Sequence, residues 1–337
     1  MRCPRLHELP APPRGKTGWP WTEESLQLPV VMPDGRPWPR ITVATPSFNQ
    51  GRFIEETIRS VLLQGYPDLE YFVLDGASTD NSVEIIKKYV PWLTYWVSEP
   101  DGGQSAAINR GLTMGSGLFA TWINSDDMLY HNAIVAHASQ IGFVPHTVYV
   151  GVCAYMDVTG AIVTMHCGRI HLLEDLVRVG KVWRSGGNIV QPEVLFPREL
   201  ALAVSGLNVG NHHTMDYELW GKLFLAGANF QYTNIPFGML RVHSGQKTQD
   251  GWRTTQSLLS TATKLVTLAD CLTEETKNEI LADLKAYKRD YWHNRWQRSG
   301  RLARIGLPSF IVVRLRQLRA SLQRLKDRGV SIGKAQV

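Results

Sequence analysis

From residue 41 the sequence alternates short β-branched or aromatic runs with stretches of helical periodicity, and this alternation limits the fold more than any other feature. Ile41–Thr45, Tyr71–Leu74, Thr94–Val97 and Leu118–Ile123 read as strands. Phe53–Leu63, Ser82–Val90 and Ser105–Met114 read as the helices between them; the first carries apolar residues at 54, 58, 61 and 62, the spacing of one helix face. Strands that alternate with helices through short loops predict an α/β chain with a Rossmann-like, mostly parallel sheet flanked by helices.

Sheets of this kind bind ligands beyond the carboxyl ends of their strands. The polar segments fall in those places: Thr45-Pro-Ser-Phe-Asn49, Asp75-Gly-Ala-Ser-Thr-Asp80, Ser98–Gln104 and Asn124-Ser-Asp-Asp127. Beyond Tyr130 the pattern changes. A hairpin is expected over 147–166 around Thr159-Gly160, a helix over Met215–Ala226, and strands near Asn229–Thr233 and Met239–His243. Helices are expected over 252–269, 273–298 and 309–327.

Half of the 18 prolines lie in residues 1–40, so this stretch reads as an extended arm or linker. Residues 41–250 form the expected catalytic domain and 251–337 a helical, basic extension. The first residues lack the apolar run of a secretory signal, and no stretch approaches the roughly 18–20 apolar residues of a membrane span. The four cysteines form no C-x-x-C pair and suit free thiols, so a cytoplasmic location is expected. Neither a G-x-G-x-x-G nor a G-x-x-x-x-G-K-[ST] loop follows the first strand, which argues against NAD and ATP chemistry.

The ordered set Thr45-Pro-Ser-Phe-Asn49, Asp75-Gly-Ala-Ser-Thr-Asp80, Glu99-Pro-Asp-Gly-Gly103 with Asn109, Asn124-Ser-Asp-Asp127 and Met215-Asp-Tyr-Glu-Leu-Trp220 resembles glycosyltransferase family 2, over roughly residues 40–245. It is most similar in kind to bacterial enzymes of cell-surface polysaccharide synthesis. The resemblance implies a GT-A fold, with residues 41–130 as a nucleotide-sugar half and 131–250 as an acceptor half. It implies inverting transfer of a sugar from a nucleotide diphosphate donor, a UDP-sugar by expectation, to a hydroxyl of a glycan or lipid-linked acceptor, assisted by Mn²⁺ or Mg²⁺.

The chemistry accounts for the residue types. A divalent cation neutralises the diphosphate as it leaves, and hard cations take oxygen ligands. Asp126 is the expected metal ligand, with Asp127 as a second or alternative one. The family's Asp-x-Asp pattern has Asn124 in its first place, so Asn124 and Ser125 are assigned to the donor. Asp75 is expected to accept a base N–H, with Asp80 beside the base or ribose; Asp80 could equally cap the following helix. Thr45, Pro46 and Asn49 would line the nucleoside and Asp101 the donor sugar, with Asn109 nearby. Gln104 stands where relatives carry a basic residue, so no cation is expected there. Direct displacement needs a base for the acceptor proton, and Asp216 fits, with Glu218 read as a solvated helix charge. His243 would complete the metal shell, Arg241 or Lys247 would balance the diphosphate, and Gln191-Pro192-Glu193 would border the acceptor.

The charge is uneven. Residues 285–337 hold 14 Lys/Arg against 2 Asp/Glu. Leu315, Leu318, Leu322 and Leu325 form a stripe opposite a cationic face, the pattern of a helix lying on an anionic membrane surface. Residues 301–328 are therefore expected to reach such a surface, on the inner face of the plasma membrane, or else to pack on the body. Nucleic acid is a weaker expectation. The alternative function is a non-catalytic glycan- or membrane-binding protein on the same fold.

Overall fold

A computed structural model describes residues 3–246 and 251–301, with side chains described to Tyr291. Nine strands lie among these residues. In chain order they are β1 (Ile41–Ser47), β2 (Leu69–Asp75), β3 (Tyr95–Ser98), β4 (Phe119–Trp122), β5 (Met128–Leu129), β6 (Thr147–Met156), β7 (Ile162–His166), β8 (Val194–Pro197) and β9 (Asn229–Arg241). The sheet order is β3-β2-β1-β4-β8-β6-β9-β5, with β7 beside β6. Pairing is parallel from β3 through β4 and mixed beyond it, since β8 runs antiparallel to β4 and β6 while β6 and β9 are parallel.

Helices α1 (Ile54–Leu62), α2 (Ser82–Tyr89), α3 (Gln104–Met114), α4 (Ala133–Gln140), α5 (Leu173–Val177), α6 (Arg198–Ala203), α7 (Met215–Leu225), α8 (Gly251–Leu268) and α9 (Glu274–Arg301) cover the sheet. On α1 the predicted stripe of Ile54, Ile58, Val61 and Leu62 is buried. It shares one core with Val43, Tyr71 and Val73, whereas Ile108, Leu219 and Leu265 belong to a second core with Ala44 and Trp122. Successive side chains of a strand point to opposite faces, so Val43 and Ala44 serve the two cores in turn. Helix α3 crosses β1 closely at Gly111, where a Cβ would come within 2.8 Å of the Ala44 Cβ.

The helices expected over 252–269 and 273–298 appear as α8 and α9, and the hairpin over 147–166 as β6 and β7. The two strands expected at 229–233 and 239–243 are one strand, β9, which runs through Pro236. Its register against β6 shifts around Val152, and this irregularity accommodates the proline, which lacks a ladder donor. The helix expected at 309–327 and its leucine stripe lie outside the described residues. Among the described residues no helix is long and apolar enough to cross a membrane.

Residues 3–40 are a packed strap rather than a loose arm. Cys3, Leu9, Trp21 and Trp38 are buried. The fully buried Arg59 of α1 donates to the carbonyls of Pro10, Pro20 and Trp21 at 2.9–3.0 Å. Asn132 accepts from Leu26 N at 2.8 Å, and Trp19 Nε1 donates to Leu129 O at 3.0 Å. Prolines remove backbone donors but not acceptors, and a buried guanidinium needs acceptors; a proline-rich segment therefore suits the wall of an arginine pocket.

Candidate active site

The carboxyl ends of β1, β2 and β4 bring the polar loops together. Asp75, 1 % exposed, accepts from Ser78 N (2.8 Å), Ser78 Oγ (2.5 Å) and Ser98 Oγ (2.7 Å). This ties the exits of β2 and β3. Asn49 adopts φ +52°, a left-handed conformation that asparagine tolerates better than most residues. Its Oδ1 accepts from Thr79 N at 2.8 Å and its own N–H donates to Ser78 Oγ at 2.7 Å, which joins the first loop to the second. Asp80 accepts from Gly51 N (2.8 Å), Ser82 N (3.0 Å) and Ser82 Oγ (2.5 Å). Although partial burial works against the charge, these bonds hold its carboxyl below the ordinary value. Both Asp80 oxygens are thus engaged in loop shape. Thr45 turns its hydroxyl to Tyr71 OH at 3.0 Å, beneath the mouth, and Pro46 is buried. Ser47 Oγ, also buried, has no partner among the described residues.

Next to Asp75 lies a cavity of about 230 Å³ walled by Val97, Asp101, Ala107 and Arg110. Asp101 is anchored by Gly103 N at 2.7 Å, and Gly103 holds φ +91° at the entry to α3. Arg110 was missed by the sequence reading, which expected no cation here. Its guanidinium bonds Glu99 at 2.5 Å and Tyr95 OH at 2.9 Å. The available signal was spacing: Arg110 follows Ala106 and Ala107 by four and three residues, on the same face of α3.

The metal motif follows β4. Asp126 Oδ2 lies 2.9 Å from His243 Nε2, with both side chains partly exposed. A carboxylate oxygen and an imidazole nitrogen thus converge from positions 117 residues apart. Asp127 does not join them. It is 2 % exposed, accepts from Arg241 N at 2.9 Å and Asn124 Nδ2 at 3.2 Å, and burial raises its pKa well above the ordinary value, with neighbouring Asp126 adding to the shift. Asp127 therefore pins β9 to the loop, and the expectation that it ligates is corrected by its burial. Among the described residues no group of three or more His, Cys, Asp and Glu side chains is placed to hold a metal. Asp126 and His243 form a two-residue donor set, and its oxygen and nitrogen suit Mn²⁺.

Arg241 is likewise placed differently from the expectation. It is 1 % exposed and turns from the mouth to Glu56 (2.5 Å), while its Nε holds Asp126 O at 2.9 Å. Its work is to fix the metal motif rather than to meet a diphosphate. Lys247 lies outside the described residues.

Two neighbours on the first turn of α3 link the metal motif to α7. Gln104 Nε2 donates to Asn124 Oδ1 at 2.7 Å, and Ser105 Oγ donates to Met215 Sδ at 2.7 Å. Asp216 therefore opens its helix beside the motif. Its carboxylate accepts from Tyr217 N at 2.8 Å, and burial pushes its pKa up. Glu218 is not a solvated charge. It accepts from Asn208 at 3.0 Å and Asn211 at 2.7 Å, tying down the loop before α7. Asn109 serves the same loop, exchanging bonds of 2.7 and 2.9 Å with the backbone of Leu207. Ser125 is buried within the motif. Gln191 donates to Trp122 O at 2.5 Å and accepts from Asn124 at 3.3 Å, so it braces the motif, and Glu193 two residues on is fully buried.

Residues 42–168 match the family model described as glycosyl transferase family 2. An uncharacterized glycosyltransferase of Mycobacterium tuberculosis is 37 % identical over 101 residues, which is 30 % of this chain and 38 % of the relative. TuaG of Bacillus subtilis, named for teichuronic acid biosynthesis, is 33 % identical over 97 residues, 26 % of this chain and 36 % of that one. The chain thus spans little more than a third of the length of these relatives. Among solved structures, Staphylococcus aureus TarS 1–349 in complex with UDP-GlcNAc superposes with a TM-score of 0.55 at 16 % identity, covering 83 % of this chain and 79 % of that one. The mannosyltransferase PcManGT of Pyrobaculum calidifontis, in complex with GDP-Man and Mn²⁺, gives a TM-score of 0.52 at 17 % identity, covering 86 % and 88 %. The mixed α/β architecture is that of GT-A glycosyltransferase structures. With the motif match over residues 42–168 and this fold around it, the chain is similar to glycosyltransferase family 2 in both sequence and architecture.

Proposed function

We propose that the protein transfers a sugar from a nucleotide diphosphate sugar to an acceptor hydroxyl with inversion, in the synthesis of a cell-surface polysaccharide or glycolipid. The observation that carries this reading is the meeting of Asp126 and His243 at 2.9 Å, beside a half-buried carboxylate, Asp216, that opens α7. A bound Mn²⁺ or Mg²⁺ would supply charge neutralisation for the departing diphosphate, held by Asp126 and His243.

The remaining work falls to the chain. In this reading the cavity beside Asp75 and Arg110 takes the nucleobase. Uracil suits it, because Asp75 accepts an N–H and Arg110 donates to a carbonyl. Ser47, Asn49 and Asn124 border the ribose and Asp101 the donor sugar. Asp216 takes the proton from the acceptor hydroxyl as that oxygen attacks the anomeric carbon. Burial raises its pKa, which strengthens it as a base. Attack from the face opposite the leaving nucleotide inverts the centre. Residues 41–130 act as the donor half and 131–250 as the acceptor half. The cationic stripe of 301–328 would bring the enzyme to anionic membrane where lipid-linked acceptors reside, on the cytoplasmic face.

Thermal unfolding against UDP, GDP and CDP, with and without Mn²⁺, tests the donor half. A ligand at 100 times its Kd adds about 2.7 kcal/mol. A metal-dependent shift with one nucleotide, absent in Asp126→Ala, is expected. A folded protein that shifts with none of them would refute the reading.

A further inference from the structure

The strap, which precedes the segment that matches the family, builds a second concave site against residues of that segment. Residues 15–23 close over Glu56, Tyr130, His131 and the β6–β7 turn, leaving a cleft of about 580 Å³. Small-molecule sites commonly occupy about 300–1,000 Å³ and combine aromatic walls with a few placed polar groups.

Both kinds of group are present and oriented. The Trp19 ring lies 4.8 Å from that of His131 at 32°, and its Nε1 bond to Leu129 O fixes the plane. Trp21 is buried against Glu56 through its Nε1 at 3.3 Å. The indole donors are thus engaged inward. Lys16 reaches Glu56 at 2.9 Å across the cleft. The hydroxyl of Tyr130 and the carboxylate of Glu23 line the same cleft and have no hydrogen-bond partner among the described residues. Lys16 and Arg241 offset Glu56 and Glu23, so the cleft presents donors and acceptors with no excess charge.

We propose that this cleft binds a neutral saccharide unit of the acceptor glycan at a distance from the transfer centre. A pyranose offers an apolar C–H face and a rim of hydroxyls that both donate and accept, which matches rigid aromatic surface bordered by Glu23, Lys16 and Tyr130. An acyl chain would leave those polar groups desolvated and unpaired, and a phosphate would meet two carboxylates. The cleft is also joined to the transfer site. Glu56, which takes Lys16 and Trp21 on one oxygen, takes Arg241 on the other, and Arg241 holds the backbone of Asp126. The identification of the ligand as acceptor glycan rests on the glycosyl-transfer reading; the cleft itself does not.

The test is NMR titration of the full chain with cellobiose, lactose, maltotriose and N,N′-diacetylchitobiose, following the indole N–H signals assigned by Trp19→Phe and Trp21→Phe. At least one sugar should shift both signals saturably, with the shift unaffected by UDP and by Asp126→Ala. Glu23→Gln and Tyr130→Phe, which leave the buried face of the strap intact, should weaken that binding at least tenfold together. No shift with any of the four sugars, a shift competed by UDP, or binding unchanged in the double variant would each overturn the proposal. Failure of the transfer reading shows separately, as loss of any nucleotide- and metal-dependent thermal shift while sugar binding persists.

Discussion

The two halves proposed for donor and acceptor hold their carboxylates in opposite ways. Around β1, β2 and β3, Asp75 and Asp80 accept six hydrogen bonds from loop serines and backbone N–H groups. They are held in place by these bonds. At the head of α7, Asp216 is more deeply enclosed than Asp80, yet among the described residues its carboxylate accepts from the N–H of the next residue alone. A recognition surface gains from groups held in place before the ligand arrives. A base must instead leave an oxygen unpaired for the proton it will take. In the proposed reading the same residue type is made into scaffold in one half and into reagent in the other.

The largest effect expected of this contrast is on turnover. Asp216→Asn should lower kcat by about 10²–10⁴-fold, the span of general base catalysis, with the thermal shift on UDP and Mn²⁺ retained; full turnover in the variant would break the contrast. Asp75→Ala should do the reverse. Loss of three bonds should cost about 3 kcal/mol at about 1 kcal/mol each, visible in urea unfolding, and donor affinity should fall with it.

A pH series sharpens the comparison further. Burial raises the Asp216 pKa in the folded chain, so kcat/KM should fall on acidification at a pH above the ordinary aspartate value of 3.8. The linkage has the opposite sign for stability. The fold favours the protonated acid, so that contribution is full below the ordinary pKa and is lost as pH rises through the raised one. Asp216→Asn should remove both dependences. The smallest effect is expected from Gln104→Ala, which removes one bond to Asn124. About 1 kcal/mol corresponds to a rise of about fivefold in donor KM, with kcat little changed.

The donor half was the more legible because its signals are local. Strand, turn and helix follow within a few residues, and Asp75 and Asp126 stand beside elements that periodicity alone defines. Roles that depend on partners far along the chain were not legible. Arg241 reads as a cation near the diphosphate until its partner Glu56, 185 residues away, is known. Glu218 reads as solvated until Asn208 and Asn211 fold back on it, and Arg110 is recognised at the cavity only once α3 is seen against β2. The proline-rich segment misled for a physical reason: composition reports the missing donors of proline, whereas Arg59 uses the acceptors.

That strap has a consequence for how the chain is made. Trp19 and its carbonyl partner at Leu129 are 110 residues apart. At the roughly 5–20 residues per second of synthesis, Trp19 emerges from the ribosome about 5–20 s before the surface that receives it. During that interval Trp19 is an apolar group without the carbonyl partner or the His131 ring that it meets in the folded chain. Slowing elongation between residues 40 and 130 should therefore increase aggregation of the nascent protein, and a chaperone that shields aromatic segments should act on this chain early, before its first strand has neighbours.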